Sequence, residues 1–191
     1  MKRKSLSVTK KTLNFYLTKL KDPQVRKLYS LFSNNLASMD LTNKKIMVGV
    51  SGGADSLAVL FFSQCYALKH HSKLYPVIID HKLRKESTIE AKNLKYKLKQ
   101  NFKINCKILS KKIVKINTNI QSYARDLRYD LFFEECNKQK IDHLILGHHK
   151  DDLIENFFIR FLRGSGLKAV SYTHLRAHET KANLVCRLLL E

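Results

Sequence analysis

Val48-Gly49-Val50-Ser51-Gly52-Gly53-Ala54-Asp55-Ser56 decides the fold. The apolar run Lys45–Val50, bounded by polar residues, reads as a buried strand. It enters a glycine pair, and Leu57–Lys69 then has helical periodicity. Glycines accept positive φ and let an anion approach the backbone closely. A helix start offers unpaired N–H groups and the positive end of a dipole. Ser51 and Ser56 add hydroxyl donors, and Asp55 is suited to Mg²⁺ that accompanies a polyphosphate. The stretch lacks the spacing G-x-x-x-x-G-K-[ST], so it is a different phosphate loop from that one. Taken alone, it also reads as an ordinary βα turn with Asp55 or Ser56 near a helix cap.

Working outward, the same alternation repeats. Leu74–Asp80 reads as a strand, 85–100 as a helix, Ile104–Leu109 as a strand and Ile120–Asn137 as a helix. His143–Gly147 reads as a strand and 151–163 as a helix. Strands alternating with helices predict an α/β fold, a parallel sheet with helices on both faces. Ligands of such sheets sit beyond the carboxyl ends of the strands. The polar clusters fall there: Ser51 to Ser56, Asp80-His81, and His148 to Asp152. Upstream, Leu13, Leu17 and Leu20, then Val25, Leu28, Leu31 and Phe32, recur at helical spacing on either side of Pro23. This predicts a helical extension over 1–43 ahead of a catalytic domain over 44–168.

The 191 residues hold 36 Lys and Arg against 16 Asp and Glu, a net charge of +20. That length suits one domain. The hydrophobic fraction of 44% excludes wholesale disorder. No apolar run approaches the ~18 residues of a membrane span, and no continuous apolar segment follows the basic start as a secretory signal would. The four cysteines share no close spacing, against a zinc ribbon or an iron–sulfur site; reduced thiols in the cytoplasm are the expectation. The charge tilts towards a polyanion, although lysine-rich codon drift contributes.

Three further blocks sharpen the loop reading. On the helix 151–163, Asp152, Glu155, Asn156 and Arg163 share a face, and the carboxylate pair suits an ammonium group. Arg125 and Arg128 stand one turn apart on their helix, where Arg forks suit phosphate. His148 follows a strand. The loop resembles the S-G-G-x-D-S signature of the PP-loop ATP pyrophosphatases, of adenine nucleotide α-hydrolase-like fold. Val77-Ile78-Ile79-Asp80-His81-Lys82-Leu83-Arg84, Asn119-Ile120-Gln121 to Arg125 and Arg128-Tyr129, and Gly147-His148-His149-Lys150-Asp151-Asp152 to Glu155-Asn156, followed by Arg163-Gly164-Ser165-Gly166-Leu167, resemble one branch, the tRNA(Ile)-lysidine synthases. Ile78, Lys82 and Asn156 depart from that pattern.

The resemblance implies ATP and Mg²⁺ as cofactors, and CAU-anticodon tRNA(Ile) and L-lysine as partners. It implies ATP binding by Ser51, Gly52, Gly53, Ala54, Asp55, Ser56, Asp80, His81 and Gly147, with Mg²⁺ on Asp55. It further implies catalysis by Asp55, His148, Arg125 and Arg128, lysine binding by Asp152 and Glu155, and tRNA contact by Arg84 and Arg163. The competing expectations are a sibling tRNA-modifying enzyme, such as a thiolase, and a basic RNA-binding module without chemistry.

Residues 169–191 break the pattern. Val170–Thr180 and Asn183–Glu191 resemble, in a single frame, the two constant blocks of a translated sequencing adapter, and are set aside. The expectation is a catalytic domain interrupted after Lys168, inactive as written.

Overall fold

The computed structural model describes residues 10–37, 39–84, 86–111, 120–149 and 184–190. The chain runs α1 (Lys10–Lys19), α2 (Pro23–Ala37), β1 (Lys45–Val50), α3 (Ala54–Lys69), β2 (Lys73–Asp80), α4 (Ser87–Phe102), β3 (Lys107–Ser110), α5 (Ile120–Gln139), β4 (His143–His149) and β5 (Leu184–Leu190). The strands form one sheet in the order β3-β2-β1-β4-β5, and every pairing is parallel. Strand β1 is central, with β2 on one side and β4 on the other. Only Lys45 of β1 is exposed, which explains an unbroken apolar run in place of alternation.

The pleat divides the core. Ile46, Val48 and Val50 of β1 and Ile78 of β2 pack with Val59, Leu60 and Phe62 of α3 and Leu98 of α4. Met47 and Leu144 face the other way, onto Phe132 and Cys136 of α5. Gly49 allows the approach of α5. A Cβ there would lie 2.5 Å from Leu146 Cδ2 and 2.6 Å from Phe132 Cζ.

The helical extension joins this core. Tyr16 and Phe32 are each 1% exposed within the same cluster as β1, and the Tyr16 hydroxyl donates to the Phe102 carbonyl at the end of α4. Pro23 occupies the first position of α2, where its missing N–H costs nothing. Asp22 caps that helix, its Oδ1 accepting from Gln24 N at 2.9 Å and Val25 N at 3.1 Å.

Most boundaries fall within two residues of the sequence reading; β4 runs on to His149, so His148 lies within the strand and not after it, and two boundaries differ by three residues. Helix α3 starts at Ala54, three residues before Leu57, because the loop closes within Ser51–Gly53. Strand β3 starts at Lys107, since the preceding residues complete the cap of α4. Lys103 takes φ +57° and its N–H bonds to Leu98 O, and Ile104 N reaches the same carbonyl at 3.2 Å. The helix expected over 151–163 lies outside the described residues.

Leu184–Leu190 falls in the stretch that the sequence reading set aside. It runs as a parallel edge strand, His143 opposite Leu184 through His149 opposite Leu190. An apolar run of this composition pairs with any open sheet edge, so the pairing does not bear on the origin of the segment.

Candidate active site

The order β3-β2-β1-β4 reverses direction at β1, and the carboxyl end of the strand at such a reversal is where an α/β sheet opens a crevice. The loop Ser51–Gly53 lies there. Gly52 takes φ +93°, a region that L side chains rarely adopt, and a Cβ on it would come within 3.2 Å of Leu94 Cδ2. Gly53 is the N-cap of α3, and no side chain caps that helix. Its first turn therefore presents backbone N–H groups that have no partner within the helix.

Ser56 organises the loop from inside. It is 3% exposed. Its hydroxyl accepts from Ser51 N at 3.3 Å, Gly52 N at 3.1 Å and Ser51 Oγ at 3.0 Å, and donates to Gly53 O at 2.9 Å. A sequence reading sees a hydroxyl beside a phosphate site. The fold turns that hydroxyl inward, where it sets the loop conformation. Ser56→Ala would take the shared acceptor from Ser51 and Gly52, at about 0.5–1.5 kcal/mol per hydrogen bond. Urea unfolding is expected to show that loss, and ATP affinity to fall with it as the loop slackens.

Gly147 comes up behind the loop from β4. A Cβ there would stand 3.0 Å from Ser56 Cα and 3.1 Å from both the carbonyl carbon and oxygen of Asp55. Those are backbone atoms, so they cannot swing aside. Asp55 itself is exposed.

The far wall is built from β2, α4 and α5. Asp80 is 3% exposed. Its Oδ1 accepts from Lys82 N at 3.0 Å and its Oδ2 from Thr88 Oγ1 at 2.7 Å. Both oxygens thus tie the end of β2 to the start of α4. Arg128 Nη2 stands 3.3 Å from His81 Nε2. A guanidinium only donates, so Nε2 accepts and the ring proton resides on Nδ1. That Nδ1 is buried with no partner among the described residues. Burial pushes the His81 pKa below its ordinary value, the Arg128 charge lowers it further, and Asp80 opposes both. Burial likewise lowers the Arg128 pKa.

Burial also lowers the pKa of His70 and His143. As pH falls, the unfolded chain takes up these three protons first, at its ordinary histidine value, so stability is lost below about pH 6.5. Above that value all three are neutral in both states and contribute no slope. Urea midpoints measured from about pH 7.5 to about pH 5 should fall only below about 6.5, and His81→Asn should flatten part of the fall.

Of the residues singled out from the sequence, Ser51, Gly52, Gly53, Asp55, Ser56, His81, Arg84, Arg128 and Gly147 line a single cleft of about 970 Å³. Ala54 opens the helix beside it, and Asp80 lies behind its wall. Arg125 sits one turn before Arg128 on α5, partly buried and outside the lining. His148 follows Gly147 in β4, its side chain outside the described residues. Asp152, Glu155 and Arg163 lie outside them altogether. The sequence reading missed the α4 wall, where Leu94, Leu98 and Phe102 reach the cleft. Their spacing on α4 was the available signal, obscured by the lysines between them.

Cys65, Cys106 and Cys136 are buried free thiols. Burial pushes their pKa values up to about 12, 12 and 11, which leaves them as protonated core residues. Among the described residues no group of three or more His, Cys, Asp or Glu is placed to hold a metal ion. No described helix is long and apolar enough to cross a membrane.

The sequence profile of the PP-loop domain matches residues 21–191. The tRNA(Ile)-lysidine synthase of Orientia tsutsugamushi (strain Boryong) is 43% identical over 129 residues, covering 68% of this chain and 29% of that protein. That of Wolbachia sp. subsp. Brugia malayi (strain TRS) is 35% identical over 162 residues, 84% of this chain and 37% of that protein. That of Rickettsia rickettsii (strain Sheila Smith) is 34% identical over 154 residues, 78% of this chain and 31% of that protein. The chain therefore spans about a third of the length of these curated relatives. Among solved structures, the U34-tRNA thiolase NcsA from Methanococcus maripaludis, determined with its [4Fe-4S] cluster, superposes with a TM-score of 0.71. It is 21% identical, over 85% of this chain and 58% of that one, a likeness of fold.

Proposed function

Because the chain belongs to the PP-loop family, we propose that it carries the ATP-cleaving part of a tRNA(Ile)-lysidine synthase. One observation carries the reading. An uncapped helix N-terminus behind Gly52 and Gly53 opens onto the cleft walled by His81 and Arg128. A triphosphate fits there, its oxygens on the loop N–H groups and its charge facing the dipole of α3.

Asp55 fits a divalent cation. It is an exposed carboxylate with no ion pair among the described residues, on the lip of the cleft. A carboxylate beside polyphosphate is repulsive unless a cation lies between them. Mg²⁺ held by Asp55 would neutralise charge on the leaving pyrophosphate.

In the proposed reaction, the C2 carbonyl oxygen of the wobble cytidine of CAU-anticodon tRNA(Ile) attacks the α-phosphate. The α–β bond breaks and pyrophosphate leaves, giving an adenylated cytidine. The ε-ammonium of lysine, gripped by Asp152 and Glu155, gives a proton to one of these carboxylates; the free amine then attacks C2, the C2–O bond breaks and AMP leaves. The chain's own contribution to the first step is positioning and charge. The loop N–H groups and Arg128 are fixed before the reaction, and each such donor is worth about 10²–10³ in rate. Arg125 and His148 would join Arg128 as catalytic groups, and the tRNA would rest on Arg84, at the cleft, and on Arg163. The buried, protonated thiols and the names of the relatives favour ligation over sulfur transfer.

The test is tRNA-dependent exchange of label between pyrophosphate and ATP. Exchange with CAU-anticodon tRNA(Ile), and its absence without tRNA, is the expected result. Formation of ADP and phosphate in place of AMP and pyrophosphate would overturn the reading.

A further inference from the structure

Helix α4 buries one side and wears an odd mixture on the other. Ala91 and Leu98 are buried, and Leu94 covers Gly52. At 3.6 residues per turn, the line opposite that stripe carries Ile89 and Tyr96, 60% and 64% exposed, together with the exposed amides Asn93 and Gln100. Lys92 and Lys99 flank this line on one side and Lys97 on the other, all exposed. The only carboxylate of the helix, Glu90, is taken by Arg84 at 3.1 Å. None of the α4 lysines forms an ion pair among the described residues. A helix face that served solubility alone would carry only polar groups along its outermost line, and here an aliphatic side chain and a ring stand among the amides and lysines.

An exposed ring between unpaired cations is the make-up of a single-strand nucleic-acid surface. The ring stacks on a base, and the ammonium groups meet phosphates. Lys92 and Lys99 are two turns apart, roughly 10 Å along the axis. The same helix lines the nucleotide cleft through Ser87, Glu90, Asn93 and Lys97. A strand lying on its outer face therefore reaches the cleft mouth at Arg84 without crossing the sheet.

We propose that the outward face of α4, centred on Tyr96 between Lys92 and Lys99, docks a single-stranded segment of the tRNA beside the nucleotide cleft. This rests on the tRNA reading above.

The test measures binding of a CAU-anticodon tRNA(Ile) transcript by the whole chain across a range of salt concentrations. Tyr96→Ala should weaken binding about 5- to 150-fold, the value of one stacked base, and Tyr96→Phe should restore it. Lys92→Gln with Lys99→Gln should make the salt dependence shallower by about 1.4, at ~0.7 per single-strand phosphate. All three positions are exposed, and ATP affinity should stay at the parental value in each variant. If the parent binds tRNA and the variants match it in affinity and salt slope, the surface assignment is overturned and the tRNA reading stands. If the parent binds no tRNA, both fall. Unchanged tRNA binding with a shifted sedimentation coefficient in Tyr96→Ala would give the face to a protein contact and overturn the RNA assignment.

Discussion

Asp55→Ala should reduce tRNA-dependent ATP–pyrophosphate exchange by at least ~10³, the upper range for removing one preorganised electrostatic group. The loss should come with little change in stability. Asp55 is exposed on the first turn of α3, where a carboxylate contributes about 0.3–1 kcal/mol through the helix dipole. The sharper readout is ATP binding with and without Mg²⁺. Removing a negative charge from the mouth of a phosphate site should leave metal-free ATP binding unchanged or tighter. In Mg²⁺ the same substitution should weaken binding, because the cation loses its protein ligand. Calorimetric titration under the two conditions separates the cases. Weaker binding in both would mean that Asp55 shapes the loop and does not hold a cation.

Gly147→Val should unseat the loop from behind. The first added carbon already meets Ser56 Cα and the Asp55 carbonyl group at 3.0–3.1 Å, and the valine methyls extend the overlap. Backbone on both sides must shift, at about 1–3 kcal/mol, and the part that shifts is the helix turn that would bind phosphate. Thermal stability and ATP affinity should therefore fall together. Gly49→Ala is the matched control. Its added carbon meets the ends of the Leu146 and Phe132 side chains at the floor of the cleft, which can move where backbone cannot. It should lower the melting temperature and reduce ATP affinity much less than Gly147→Val does. Equal loss of ATP affinity in both variants would show that general destabilisation, and not loop displacement, is responsible.

The β1 run, the glycine pair and the following periodicity were enough to predict a βα phosphate loop in a parallel sheet. Such elements are written locally, in apolar period and in residues that tolerate positive φ. Boundaries were less legible where the chain finishes one element with another's residues, as Lys103 and Ile104 do in capping α4. The site was legible as a set of names. Ser51, Gly52, Asp55, His81 and Arg128 do share one cleft, because parallel strands bring their carboxyl ends to one edge.

The roles within that set were not legible. Ser56 and Asp80 look like ligand contacts in the sequence; in the fold Ser56 also holds the loop from the cleft wall, and Asp80 holds the β2–α4 corner. Gly147 reads as a ligand contact in a motif; in the fold it lines the cleft and also gives the clearance between β4 and α3. The pairing of His81 with Arg128 spans 47 positions of chain. By itself, the sequence determined the order of elements, the identity of the phosphate loop and the chemistry on offer. Only the tertiary structure decided which side chains face the cleft and which support it. Direction and burial depend on contacts between residues far apart in the chain, and no local pattern encodes them.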